Sequence, residues 1–141
     1  MTTLFSTAMT ANQTPAIPRG RVALVALWLT QIVLAAMFMF VGGLKLTGAP
    51  QLVALFDAIG IGQWFRYLTG AIEVGSAIAL LVPSFAVFGA LGLVATMVGA
   101  VIVHLFILGA SPALPAILLL GSAGVVWVRR HQLLGVRPTV G

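Results

Sequence analysis

Glu73 and His104 are the acidic and imidazole groups set within the long apolar stretches of this chain. An ionisable group in hydrocarbon is costly to keep, so each is a functional-site hypothesis by default. A carboxyl and an imidazole brought together can exchange protons with a carbonyl or hydroxyl of a bound molecule. They can equally tie helices together by hydrogen bonds. Lys45 and Arg66 supply the cations that a buried carboxylate needs beside it. Gln31, well inside the first apolar run, offers an amide for an interhelical hydrogen bond or for a ligand. Glu73 and His104 are thus the candidate catalytic, proton-transferring pair, and Lys45, Gln31 and Arg66 the candidate ligand contacts.

Composition places these groups in a membrane. A hydrophobic content of 61% with 6% charge is far from the soluble average, in which roughly a quarter of residues are charged. The apolar runs are unbroken and do not alternate, so helices satisfy the backbone in lipid here. The expected fold is all-α, a membrane-embedded four-helix bundle with spans at about 22–44, 67–82, 84–108 and 112–128. Pro83 forces a tight antiparallel turn between the second and third spans, and Gly109, Ser111 and Pro112 make the next turn. Pro115 suits the first turn of the fourth helix. With no small-residue cleavage site after it, the first run reads as a retained anchor. One domain then occupies residues 22–130, between a disordered N-terminal tail, 1–21, and a C-terminal tail, 131–141.

The largest loop, Lys45 to Arg66, holds a short candidate helix, Gln51 to Ile59. Leu52, Leu55, Phe56 and Ile59 share one face of it, which suits the membrane interface with Asp57 turned to water. Trp64, Phe65 and Tyr67 bracket Arg66 as an aromatic belt. The sharper alternative for this loop is a lid over a pocket between the helices. Basic residues set the orientation: Arg19 and Arg21 precede the first span and Arg129, Arg130 and Arg137 follow the fourth, against Lys45 and Arg66 in the first loop. Both termini are therefore expected in the cytoplasm.

Depth brings the candidates together. At 1.5 Å per residue His104 lies about 6 Å from the outer end of its span and Glu73 about 9 Å from the same side of the second. Lys45 closes the first span there. Small and polar stripes run through all three helices: Gln31, Ala35, Phe38, Gly42 and Lys45; Gly70, Glu73 and Ala77; Gly92, Thr96, Ala100 and His104. These stripes should face inward. Gly89, Gly92, Gly99, Gly121 and Gly124 are read as points of close helix packing.

Other chemistries are excluded by what is missing. Without cysteine there is no thiol relay, iron–sulfur cluster or disulfide. A haem between two embedded histidines is disfavoured, since His131 lies past the last span. A zinc site needs three or four ligands, and only Glu73, His104 and Asp57 offer themselves, so no metal is expected. Nothing resembles a nucleic-acid module, and the net charge of +5 reads as a topology signal touching anionic lipid.

Several local runs carry a family likeness. Ala26-Leu27-Trp28 with Gln31 and Leu34-Ala35-Ala36, then Gly42-Gly43-Leu44-Lys45-Leu46, resembles the first span of DoxX-like membrane proteins. Tyr67 to Val74 and Gly99 to Leu105 are similar to their second and third. The resemblance implies a four-helix bundle in a bacterial inner membrane serving a quinone-linked redox complex, with any electron-carrying centre in a soluble or membrane partner. The leading reading is a membrane subunit or small enzyme that binds a quinone or similar apolar molecule at the Glu73, His104 and Lys45 cluster. A non-enzymatic scaffold or assembly factor is the first alternative. A small permease is the second, and a four-span chain would need a homo-oligomer for it.

Overall fold

The computed structural model describes residues 19–135. The expected tails fall largely outside that range, and Arg137 lies outside the described residues. The described chain is helical throughout: α1 (Arg19–Thr47), α2 (Pro50–Ile59), α3 (Gln63–Leu81), α4 (Ala86–Val103) and α5 (Ala113–Arg129). α4 runs on as a π-helical turn, His104–Leu108, and α5 as a 3₁₀ turn, Arg130–Gln132. Three stretches are long and apolar enough to cross a membrane, Gly20–Thr47, Ala86–Leu108 and Ala113–Gln132.

Local chemistry sets the boundaries. Pro50 occupies the first turn of α2, where a missing N–H costs nothing. Gly60 ends that helix in the left-handed region (φ 79°), its N–H donating to the Phe56 carbonyl. Val82, preceding Pro83, is extended at φ −94°, ψ 115°, and so closes α3. Gln132 then fastens the α3–α4 turn, its Nε2 donating to the Pro83 carbonyl at 2.6 Å and its Oε1 accepting from the Val87 N–H at 3.2 Å.

α3 begins four residues earlier than the expected Tyr67, and for a physical reason. Its first turn carries Gln63 and Arg66, which bond to the Val53 carbonyl of α2 and the Lys45 carbonyl of α1, so the polar residues extend the helix instead of ending it. Of the α2 face expected to lie in the membrane interface, Phe56 is turned onto α3 and Leu52, Leu55 and Ile59 are half-buried. Phe56 is 5% exposed and its ring lies 5.9 Å from that of Phe65 on α3. Asp57 is exposed as expected.

Packing runs α1 on α3, α3 on α4 and α4 on α5, with α5 touching α1 to close the set. Leu34, Phe38, Ala77, Leu80, Leu93 and Val125 form the centre. The stripes on α1 and α3 face inward as expected, since Ala35, Phe38, Gly42, Gly70, Glu73 and Ala77 are all buried. On α4 the buried stripe is instead Ala86, Ala90, Leu93 and Met97, and Gly92, Thr96, Ala100 and His104 are half-buried beside it. Gly89 meets the backbone of Ser76 and Leu80, and Gly121 meets Leu34, whereas Gly99 and Gly124 have nothing within 4 Å of where a Cβ would stand. Those two glycines lie outside the helix contacts.

Candidate functional site

Two glycines bring the central pair together. Where α1 crosses α3, a Cβ on Gly42 would stand 3.1 Å from the Gly70 carbonyl oxygen and a Cβ on Gly70 would stand 3.1 Å from that of Gly42. The backbones approach this closely because neither residue has a side chain. One turn on from each glycine come Lys45 and Glu73, and Lys45 Nζ lies 2.5 Å from Glu73 Oε1. The carboxyl is almost wholly enclosed, with its side chain 1% exposed against 12% for the lysine. A charge so enclosed must be paired, and here the partner comes from the adjacent helix.

Half of the carboxyl is left over. Oε2 of Glu73 is buried and has no hydrogen-bond partner among the described residues. Most buried polar atoms are satisfied, so an exception calls for an explanation. Above the pair sits α2, whose Phe56 ring centre is 6.0 Å from Lys45 Nζ. α2 also packs on the π-helical turn that begins at His104.

The remaining candidates take other positions. His104 Nδ1 lies 2.8 Å from the Ala100 carbonyl. Because a carbonyl only accepts, Nδ1 donates in this contact, which leaves Nε2 clear of it. No hydrogen bond joins His104 to Lys45 or Glu73. Arg66, 3% exposed, donates through Nη1 to the Lys45 carbonyl and through Nε to Gln63 Oε1 at 2.6 Å. It thereby caps the C-terminal end of α1. Gln63 passes the tie on to α2, reaching the Val53 carbonyl at 2.9 Å and Asp57 at 2.7 Å. Arg66 thus holds the helices around the pair, with its guanidinium engaged away from Glu73.

Gln31 belongs to a separate cluster at the opposite end of the bundle, about 21 Å from Lys45 along α1 at 1.5 Å per residue. Its Nε2 donates to the Leu80 carbonyl at 2.6 Å, and its Oε1 accepts from Arg129 Nε at 3.1 Å and Nη2 at 2.8 Å. Arg129 also lies over the Trp28 ring at 5.6 Å. Sequence reasoning assigned Arg129 to topology alone and Phe56 to the interface. Arg129 directly abuts the apolar run, but nothing local points to a partner 98 residues away. Among the described residues, no three His, Cys, Asp or Glu side chains converge as a metal site.

An all-helical, multi-pass membrane protein in contact with the lipid bilayer, with a buried Lys–Glu pair between two helices, is the class these features define. A model of the DoxX-like family matches residues 29–131, and the chain belongs to that family. Comparison with curated proteins found no match, and comparison with solved structures found none.

Proposed function

We propose that the protein is a four-pass bacterial inner-membrane subunit, accessory to a quinone-linked oxidoreductase, that binds a quinone or similar small apolar molecule at Lys45 and Glu73. The observation that carries this reading is the buried, unpartnered Oε2 of Glu73. A carboxylate oxygen in that position accepts a hydrogen bond from a hydroxyl, while Lys45 Nζ, with three donors and one engaged by Oε1, can donate to a carbonyl. A quinol and a quinone present those two groups. The donor set therefore fits the ligand class in both oxidation states. His104, with Nε2 as a base, is the candidate second proton-transfer group.

Entry is by way of α2. The helix is bracketed by Gly48 (φ 76°) and Gly60 (φ 79°), and Phe56 covers the pair, so displacing α2 opens the site while α1 and α3 stay packed. In this reading α3 is the fourth crossing and α2 a lid instead of an interfacial anchor.

The test is mass spectrometry of small molecules extracted from gently purified protein, comparing wild type with Glu73→Gln and His104→Ala at equal folded amounts. A quinone is expected in wild type and depleted in both variants. Identical extracts holding only bulk lipid would reject the ligand site. They would favour the scaffold reading, which draws on the ties that Gln31, Arg66 and Arg129 make between elements.

A further inference from the structure

The distribution of charge along the bundle is one-sided. The chain has only two acidic residues, Asp57 and Glu73, and both lie at the Lys45 end, held by Gln63 and Lys45. At the other end, Arg21 on α1, Arg129 at the close of α5 and Arg130 next to it face no acidic side chain among the described residues. Arg129 is buried and is met by a neutral amide and an indole ring. Among the described residues, the side chains of that end carry an excess of positive charge.

A groove opens at the same end. It lies between α4 and α5, encloses about 180 Å³, and is walled by Leu91, Val94, Ala123 and Val126, with Trp127 and Arg130 at its end. Trp127 is largely exposed, the placing of an indole at the level of lipid headgroups. Arg130 is set over it: Cζ is 4.2 Å from the ring centre, and Nη1 donates to the Trp127 carbonyl at 2.6 Å. One of five guanidinium donors is engaged by that bond, and the others remain for an anion.

We infer that this groove is a binding site for an anionic phospholipid, one acyl chain lying between α4 and α5 and the phosphate paired with Arg130. Apolar walls suit a hydrocarbon chain, and a planar guanidinium suits a phosphate in bidentate contact. Basic pockets between membrane helices select anionic headgroups in this way. A zwitterionic lipid brings its own cation to the same place and leaves the excess charge of this end uncompensated. The site is independent of Glu73 and of whatever binds there.

Native mass spectrometry of the full chain, released from nanodiscs of equimolar phosphatidylglycerol and phosphatidylcholine, tests the inference. Wild type is expected to retain phosphatidylglycerol in preference. Arg130→Gln should reduce that preference about tenfold, the effect of losing a charge-assisted hydrogen bond to the phosphate. Arg21→Gln, at the same end but outside the groove, should leave most of it. Leu91→Trp, filling the groove from its rim, should lower retention of both lipids at unchanged helicity by circular dichroism. Equal retention of the two lipids by wild type would overturn the inference, as would a preference untouched by Arg130→Gln. Equal losses in Arg21→Gln and Arg130→Gln would also overturn it, because they reduce the preference to a diffuse basic surface.

Discussion

Lys45 and Glu73 share one hydrogen bond in a place where water cannot replace either partner. Removing one side chain therefore strands the other, at a cost of about 3–5 kcal/mol for a buried pair, whereas replacing both by apolar residues of similar volume costs far less. Lys45→Met and Glu73→Met are each expected to unfold early in an SDS titration, and the double variant to recover most of the loss. Additive losses in the double variant would mean that the two groups do not depend on each other. Gln31 makes a different case, because its amide serves Leu80 and Arg129 at once. Gln31→Leu leaves a buried carbonyl and a buried guanidinium short of partners, for about 1–3 kcal/mol. The same variant is expected to extract with its small molecule unchanged, since Gln31 lies far from Glu73; loss of that molecule would join the two clusters into one site. At this scale the sequence is informative about types and poor about partners. An amide or a carboxylate in an apolar run declares itself, but Arg129 is 98 residues from Gln31, and an arginine at the end of a span looks the same whether it caps a topology or fills a bond.

Helix faces follow from contrast, and contrast is uneven along this chain. On α1 and α3 the small and polar residues stand out from their apolar neighbours, and those stripes are the buried ones. α4 is apolar all round, and in lipid an apolar residue gains little by turning inward, so its hydrophobic pattern does not show which face packs. What selects the face is fit: a Cβ on Gly89 would stand 2.5 Å from the Ser76 carbonyl oxygen and 2.7 Å from the Leu80 nitrogen. For the same reason the apolar face of α2 is legible as a face, while its choice of α3 over lipid is not. A pair of substitutions on α4 separates the contact from the bystander. Gly89→Ala must push α3 and α4 apart and should cost about 1–3 kcal/mol. Gly99→Ala meets nothing and should gain about 0.5–1 kcal/mol from helix propensity. Thermal melting in detergent checks both, and equal effects would show that α4 does not meet α3 at Gly89.

Whether the chain crosses the membrane three or four times depends on α3. Its 19 residues span about 28 Å at 1.5 Å per residue, close to the ~30 Å of hydrocarbon. Its polar residues weaken it as an isolated span, yet within the bundle Glu73 is paired with Lys45 and Arg66 is engaged near the helix end. α3 packs between α1 and α4. In the proposed four-pass topology the start of α1 and the end of α5 share a side, and the excess of arginine there predicts that this side is cytoplasmic. The chain has no cysteine, so single cysteines can be introduced as reporters at exposed positions. Ala58→Cys and Ala110→Cys are expected to react with a membrane-impermeant maleimide on intact spheroplasts. Phe85→Cys and Leu134→Cys should react only after permeabilisation. Labelling of positions 58 and 85 from the same side would mean that α3 does not cross, and Lys45 and Glu73 would then meet at a membrane surface, where water could reach Oε2 and the case for a buried apolar ligand would fail with the topology.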